Sequence, residues 1–411
     1  SSPPGRTLSI SNGYFDPGDQ PGLSARYAAL GMTERATRYA LTAAKLKELI
    51  APNLSMVWGI PSIDGYGGGL LPTAAYTQFS ALLLPDGTLR TLDGRLRELL
   101  ALPSCNGSCL PDQRWLNLTN TRYLILDKTY DLAQAGIRYD TAFSVTNGAS
   151  FAPQTDFVGD ALHLLYTGDT PPALTVDNTP LTFADAGTVG AYRLAVATRS
   201  IPSALSNITV TAGQVAALTL VDTRTGDFMP IPLGAWRLAL SSDVKIYENL
   251  SVLPRAFILG QPQRVPETWA GTEQALNLMR DPTFDPAQQV VLASDNALPA
   301  TNVGAGGEAV ITTYSATQLS ISVNAPDGGW LMLTDAYYPG WVATVDGAPS
   351  QIYRADGLFR AVWLPPGANR VTFDYAPDWL RWVFIVAALA WIGIVGWMIF
   401  SFARRATLPV P

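Results

Sequence analysis

The sequence predicts a mainly β protein, with a small α/β region at the N-terminus, two β-sandwich-like domains and one C-terminal transmembrane helix. Three observations support this fold class. Residues 382–400 form an uncharged apolar run. From about residue 138, short apolar segments alternate with turn residues at regular spacing, which is typical of a sandwich. Between residues 319 and 375, several segments alternate apolar and polar side chains, as half-buried strands do.

The apolar run from Trp382 to Phe400 is long enough to cross a bilayer as a helix. Its length of about 19 residues, or roughly 28 Å, matches a hydrocarbon core of about 30 Å. Trp379 and Trp382 mark one end, where tryptophan favours the headgroup level. Arg404 and Arg405 follow the other end, so the positive charge predicts a cytoplasmic tail and an extracytoplasmic bulk. The alternative is a buried helix in the core of a soluble protein.

Charge and length bear on the partners of the protein and on its number of domains. The 411 residues carry a formal net charge of -6, and no basic run is present, so we expect no nucleic-acid partner. A chain of this length is too long to fold around one ordinary hydrophobic core, so several domains are expected. The expected divisions are an α/β loop-rich extracytoplasmic region at 1–135, a β-sandwich at 136–244, a membrane-proximal β-sandwich at 245–377, the transmembrane helix at 378–403 and a cytoplasmic tail at 404–411.

The N-terminal region predicts two helices and one buried strand. The first helix extends from Thr33 to Ile50, where apolar residues recur on one face, and Pro52 ends it. The second helix is predicted at Leu92–Leu102. The segment Thr121–Asp127 is predicted to be a buried strand.

The rest of the chain predicts strands. The middle block contains five candidate strands: Ala161–Tyr166, Ala173–Val176, Val189–Ala195, Ile208–Val210 and Ala216–Val221. In the last block, Val371, Phe373 and Tyr375 share one face of a strand that ends a few residues before the apolar run. The membrane-proximal sandwich is therefore expected close to the membrane surface.

The two cysteines, Cys105 and Cys109, predict a small local disulfide, because the bulk of the chain is expected outside the cytoplasm. A metal site needs more ligands nearby, and the single histidine, His163, lies far along the chain. No nucleophile–histidine–carboxylate arrangement, phosphate loop or dinucleotide fingerprint is present. We therefore expect no metal and no cofactor.

Four segments of the second half of the chain stand out as motifs: Asp243–Phe257, Asp335-Ala-Tyr-Tyr-Pro-Gly-Trp341, Val345-Asp-Gly and Tyr353–Val362. They resemble motifs of the YfhO family of bacterial multi-pass membrane proteins, and Gly59–Tyr66 and Asn120–Ile125 are similar to its upstream elements. The resemblance runs from about residue 10 to the terminal helix.

The resemblance implies a relationship to the GT-C class of glycosyltransferases. Such enzymes have many transmembrane helices, use a lipid-linked sugar donor and act on the outer face of the membrane. This chain would then be the extracytoplasmic C-terminal portion with the final helix. The class generally places its catalytic carboxylate in an early outer loop, which this sequence does not contain. No residue here is therefore assigned a catalytic role, and enzyme activity stays open.

Two groups of aromatic residues are candidates for glycan binding, because an aromatic face stacks on a sugar while a carboxylate accepts its hydroxyl protons. The alternatives are a structural loop for the first group and a turn whose rings fill the sandwich core for the second. The candidates are Trp58, Asp64 and Tyr66 in the first group and Tyr337, Tyr338 and Trp341 in the second.

Arg354 and Arg360 are candidates for binding a phosphate or a lipid headgroup, because guanidinium groups pair bidentately with such oxygens. Asp356 lies between them, next to Gly357. The alternative is a surface ion pair.

Two functions fit these observations. The first is recognition of a glycan or acceptor in cell-envelope glycosylation, with the lipid bilayer and envelope glycans or a lipid-linked sugar as partners. The second is a non-enzymatic envelope protein that serves in adhesion, as a structural element or as an accessory subunit of a membrane complex. For the second, Gly393 and Gly396 would let another helix approach closely.

Overall fold

The computed structural model describes residues 3–11, 19–50, 54–64, 72–84, 96, 110–300 and 306–406. The chain divides into two compact units. The N-terminal unit comprises Pro4–Arg255 and Leu276–Ala287, and the C-terminal unit comprises Ser1–Pro3, Ala256–Ala275 and Gln288–Pro411. The helix predicted at Leu92–Leu102 and the disulfide predicted between Cys105 and Cys109 lie outside the described residues.

The described residues form the following helices: α1 (Asp19–Ala29), α2 (Glu34–Glu48), α3 (Leu54–Val57), α4 (Ala74–Ser80), α5 (Gln113–Leu118), α6 (Trp269–Arg280) and α7 (Asp378–Ala406), with a 3-10 turn at Lys128–Tyr130. Helix α2 matches the helix that the sequence predicts. Thr33 caps it by accepting a hydrogen bond from the Ala36 N–H at 3.3 Å. After its last turn, Leu49 packs against Ile125 and Val244.

Strands form most of both units. In the N-terminal unit they are β1 (Arg6–Ile10), β2 (Thr121–Leu126), β3 (Asp131–Gln134), β4 (Ile137–Asp140), β5 (Val145–Thr146), β6 (Ser150–Phe151), β7 (Gly159–Tyr166), β8 (Ala173–Val176), β9 (Thr179–Leu181), β10 (Ala184–Val189), β11 (Tyr192–Ser203), β12 (Ile208–Ala212), β13 (Gln214–Val215), β14 (Ala217–Val221), β15 (Phe228–Ile231), β16 (Trp236–Ser241) and β17 (Lys245–Asn249). In the C-terminal unit they are β18 (Ala256–Leu259), β19 (Gln261–Val265), β20 (Gln289–Ala293), β21 (Glu308–Tyr314), β22 (Gln318–Ala325), β23 (Gly329–Leu333), β24 (Trp341–Val345), β25 (Ala348–Ser350), β26 (Tyr353–Ala355), β27 (Phe359–Leu364) and β28 (Ala368–Tyr375).

One sheet of the N-terminal unit has the strand order β1-β2-β17-β16. Strand β1 runs parallel to β2, and β17 runs antiparallel to β2. This sheet joins strands from both sides of the divisions predicted at residues 135 and 244. The divisions at these two residues therefore remain predictions of which parts of the chain fold independently.

Antiparallel strands form the remaining sheets of the N-terminal unit, in the orders β10-β11-β7-β14-β15, β6-β12-β8-β9, β13-β5 and β3-β4. In the β3–β4 hairpin, Tyr139 packs against Leu165, Val189 and Leu194 of the larger sheet. The single strand predicted at Val189–Ala195 is wrong: β10 and β11 meet there in a hairpin, because Gly190 has a φ of +58° and reverses the chain.

The C-terminal unit is a β-sandwich. Its sheets have the orders β18-β23-β27-β26-β20-β19 and β21-β22-β28-β24-β25. Leu331 and Val362 of the first sheet share a core with Ile321, Val371 and Phe373 of the second, and all five side chains are fully buried. The alternation predicted for β28 is confirmed, and the protein is mainly β, as the sequence predicts.

Helix α7 follows β28 after a two-residue connection. Among the described residues it is the one helix long and apolar enough to cross a membrane. None of its apolar window, Trp382–Ile399, is buried inside the protein. A core helix of a soluble protein would be mostly covered by its own chain, so the buried-core alternative does not describe α7.

Candidate functional site

The end of the sandwich next to the start of α7 contains the second aromatic group and both candidate arginines. Strand register places Trp341 opposite Tyr375, and their ring centroids are 5.4 Å apart. Tyr375 is the last residue of β28, and α7 begins at Asp378. We call this site the arginine–tryptophan cluster and define it as Asp335, Tyr337, Tyr338, Trp341, Arg354 and Arg360.

The loop between β23 and β24 is fixed from both sides. The Tyr337 N–H donates to the Leu358 carbonyl at 2.7 Å, and the Ala376 N–H donates to the Gly340 carbonyl at 2.8 Å. Gly340 has a φ of +100°, and a Cβ there would lie 2.9 Å from Cβ of Pro377. This position therefore requires glycine, and the loop is held against the connection that leads into α7.

Arg360 is buried within the sandwich, with 3% of its surface exposed. Its guanidinium carbon lies 4.3 Å from the ring centroid of Trp341 and 5.3 Å from that of Phe373. Nη2 donates to Oδ2 of Asp335 at 3.4 Å. Nε and Nη1 have no hydrogen-bond partner among the described residues. Burial lowers the pKa of Arg360, and the negative charge of Asp335 opposes that shift.

Arg354 stands directly beside Arg360. The two residues are paired across the β26–β27 hairpin, so their side chains lie on the same face of the sheet. Arg354 is half-buried, and its side chain makes no hydrogen bond or ion pair with any residue that the structure describes. Asp335, which pairs with Arg360, is therefore the one described carboxylate in contact with either of these neighbouring guanidinium groups.

An additional hydrogen-bond acceptor would stabilise the two neighbouring arginines. Like charges placed directly opposite each other across a sheet are destabilising. A buried N–H group that lacks an acceptor also costs free energy. An anion would relieve both costs, because guanidinium groups pair bidentately with phosphate and carboxylate oxygens. Trp341 is partly buried and Tyr338 is 52% exposed, so the exposed tyrosine is the better placed of the two to stack on a sugar.

Asp356 does not join Arg354 and Arg360 in a surface ion pair. It is 1% exposed and has a φ of +49° in the turn between β26 and β27. Its Oδ1 accepts the Val291 N–H at 2.8 Å. Burial raises the pKa of Asp356 to about 7, although the Val291 hydrogen bond opposes the shift. The side chain therefore stabilises the buried turn that brings the two arginines together.

The first aromatic group is only partly described. Trp58 follows α3, is 47% exposed and makes no ring contact with a described residue. Asp64 accepts a hydrogen bond from the Ser62 hydroxyl. Tyr76 donates to the Ile63 carbonyl at 2.8 Å, and burial, with the nearby charge of Asp64, raises its pKa. Tyr66 lies outside the described residues, so this sugar platform stays a prediction.

A buried ionic cluster in the N-terminal unit is not predicted by the sequence reasoning. Lys245 of β17 donates to Asp131 and, at 3.0 Å, to Asp140 of the β3–β4 hairpin. Tyr247 also donates to Asp140. Burial raises the pKa of Asp131, and burial together with the charge of Asp140 raises that of Tyr247. The sequence feature that indicates this cluster is the spacing of Lys245 and Tyr247, which places both on one face of a strand. All four groups are partnered, so the cluster has a structural role.

The single histidine shows no catalytic arrangement. Nδ1 of His163 is 3.0 Å from the Tyr139 hydroxyl, and burial lowers the pKa of the imidazole. Within the described part of the chain, no group of three histidine, cysteine or acidic residues is placed to hold a metal ion.

The comparison with protein families matches residues 299–387 to the bacterial membrane protein YfhO. The matched segment contains Asp335–Trp341, Arg354, Arg360 and the start of α7, while the motif at Asp243–Phe257 lies outside it. Over this segment the chain is similar to that family of bacterial membrane proteins. The match also supports the membrane location that α7 indicates.

Structural comparison aligns this YfhO-like chain with cryo-EM structures of arabinofuranosyltransferase AftD from Mycobacteria. One alignment, to a mutant form, covers 64% of this chain and 15% of the AftD chain at 11% identity, with a TM-score of 0.19. Another covers 70% of this chain and 28% of AftD at 9% identity, also with a TM-score of 0.19. These TM-scores support no inference about fold or function. No curated protein matches the chain.

Proposed function

We propose that this chain is the extracytoplasmic portion of a YfhO-like protein related to GT-C glycosyltransferases. In this proposal it recognises a glycan or acceptor during glycosylation of the cell envelope and leaves bond making to residues elsewhere. The ligand carries a sugar next to a phosphate, as a lipid-linked sugar does. The arginine–tryptophan cluster is the recognition site.

One observation carries the proposal: Arg354 and Arg360 lie side by side on one face of a sheet, and of the two only Arg360 is paired with a described carboxylate, that of Asp335. Nε and Nη1 of Arg360 are buried and have no hydrogen-bond acceptor among the described residues. A phosphate supplies the missing negative charge and acceptors for several N–H groups. A neutral glycan alone would leave the repulsion between the two guanidinium groups uncompensated.

The aromatic residues support a sugar as the second part of the ligand. Tyr338 is exposed, and Trp341 already covers the guanidinium of Arg360. A phosphate on the arginines would therefore place an attached sugar near these rings, where C–H groups stack on aromatic faces. In this view Trp341 orients Arg360, and Tyr338 contacts the sugar.

The position of the cluster favours a ligand held in the membrane. Tyr375, in ring contact with Trp341, is three residues from the start of α7. A lipid-linked sugar presents its phosphate at the headgroup level, so a short distance separates it from this end of the sandwich. Cytoplasmic segments carry an excess of positive charge, so Arg404 and Arg405 support a cytoplasmic tail and a sandwich outside.

A binding titration with the full chain in nanodiscs tests the proposal. The probes are a polyprenyl-phosphate-linked hexose and the same hexose on an uncharged lipid. We expect Arg354→Ala to weaken binding of the phosphate-linked probe by roughly ten- to hundredfold, since a charge-assisted hydrogen bond contributes about 1.5–3 kcal/mol. Binding of the uncharged probe should be weaker in the wild-type chain and insensitive to this substitution.

Arg370→Ala is the matched control. Arg370 is an exposed arginine of β28 in the same unit, and its neighbours in the strand, Val371 and Phe373, face the core while it faces outward. The substitution changes the net charge equally but leaves the cluster intact. Equal loss of binding in both variants, or no loss in Arg354→Ala, would overturn the proposal.

A further inference from the structure

Three consecutive apolar side chains project from the N-terminal unit. Met56 and Val57, at the end of α3, are 79% and 73% exposed, and Trp58 is 47% exposed. No charged residue occurs between Leu54 and Ile63. We call these three residues the Met56–Trp58 tip.

Backbone hydrogen bonds fix the turn that carries the tip. The Ile60 N–H donates to the carbonyl of the buried Ser55 at 2.8 Å, and Gly59 has a φ of +64°. The residues that follow are tied to β1, which is an edge strand of its sheet. The Thr7 N–H donates to the Pro61 carbonyl at 2.8 Å, and the Ile63 N–H donates to the Thr7 carbonyl at 3.1 Å. The tip is therefore held outward at a sheet edge.

The part of the fold that the structure describes leaves the tip uncovered. Single exposed apolar residues are common on protein surfaces, whereas adjoining ones mark contacts with proteins or membranes. Tryptophan favours the interface between water and lipid. The absence of charge from the turn removes the largest cost of entering that layer.

A bilayer is the partner that the chain itself supplies. Helix α7 is long and apolar enough to cross a membrane, and the family match also indicates a membrane protein. A chain anchored in this way presents its other surfaces to lipid at a high effective concentration. Three apolar side chains bind lipid weakly when alone, but they suffice for a second contact made by an anchored protein.

We infer that the Met56–Trp58 tip inserts into the interfacial layer of the bilayer that α7 spans. This second membrane contact restricts the motion of the N-terminal unit relative to the lipid surface. The inference gives Trp58 a role other than sugar stacking. It does not depend on the proposed function, because no residue of the arginine–tryptophan cluster takes part in it.

Fluorescence quenching of the full chain in nanodiscs tests the inference. The spectrum of Trp58→Phe is subtracted from that of the wild-type chain, which isolates the emission of Trp58. We expect lipids brominated near the top of the acyl chain to reduce this emission about twofold, as for a ring at the headgroup boundary. Aqueous acrylamide should have little effect. Substituting Met56→Ser and Val57→Ser together should weaken the quenching by lipid and increase that by acrylamide.

Trp236→Phe provides the control for the subtraction. Trp236 is 5% exposed and stacked on Phe143 with ring centroids 4.6 Å apart, so its emission should respond to neither quencher. Quenching of Trp58 by acrylamide but not by brominated lipid would place the tip in water. Protection from both quenchers would place it against protein, as in contact with a second copy. Either result overturns the inference.

Discussion

Asp356 shows how a buried carboxyl group shapes the arginine site. The side chain fixes the turn between β26 and β27 through the Val291 N–H, and burial raises its pKa to about 7. An unfolded aspartate has a pKa of about 3.9, so the folded chain binds the proton more tightly. Folding stability should therefore fall as the pH rises from about 4 to about 7, and this contribution should be flat above that range.

Asp356→Asn tests this pH dependence. Asparagine tolerates a positive φ and keeps an oxygen for the Val291 N–H, but it does not ionise. We expect the variant to gain stability relative to the wild-type chain at pH 8, by up to a few kcal/mol, and to gain little at pH 4. Denaturant unfolding at both pH values measures the difference. If the stability difference between the variant and the wild-type chain is the same at pH 4 and at pH 8, Asp356 does not titrate in this range.

The pairing of Arg354 with Arg360 could be predicted from the sequence, but the residues that surround the pair could not. Arg354 and Arg360 flank Asp356-Gly357, and a short turn between two strands predicts that the flanking residues meet. Asp335 comes from the loop between β23 and β24 and Phe373 comes from β28, and no local pattern indicates either partner. The burial of Arg360 likewise depends on the second sheet, which covers the face on which it lies.

At the scale of elements, strand β17 is joined to the β3–β4 hairpin by the Lys245 cluster. Replacing Lys245 by methionine keeps an unbranched side chain of similar length but leaves Asp131 and Asp140 without their cation. Breaking a buried ion pair by removing one partner costs roughly 3–5 kcal/mol. We therefore expect Lys245→Met to lower the free energy of unfolding by about that amount.

Lys47→Met is the control for the same substitution at an exposed site, since Lys47 lies on the solvent-facing side of α2. Its effect should be within about 0.5 kcal/mol of zero. Urea unfolding followed by circular dichroism gives both values. Similar effects of the two substitutions would show that the ionic cluster does not hold the hairpin to the strand.

The positions of some strands could be predicted, whereas strand partners could not. The turn at Asp177-Asn178 appears in the structure as a hairpin with positive φ at both residues, as asparagine and aspartate permit. Strand β8 has the predicted bounds. The pairing of β2 with β17 joins segments far apart in the chain, and such pairing depends on packing that the sequence pattern does not encode.

In the whole chain, α7 joins the β-rich units to a membrane. The apolar helix, the match to the bacterial membrane protein YfhO and the short connection after β28 agree on a membrane protein. The proposal of glycan recognition on the outer face starts from this membrane association. It requires both units to be outside the cytoplasm and the residues after α7 to be inside.

Protease accessibility in intact cells measures this orientation most directly. The full chain is expressed with an epitope tag after Pro411, and protease is added under conditions that cut exposed outer domains. The account predicts that the β-rich units are digested while α7 and the tag survive as one small fragment. Loss of the tag from chains whose β-rich units remain intact would contradict the orientation, and with it a role in glycan recognition at the outer surface.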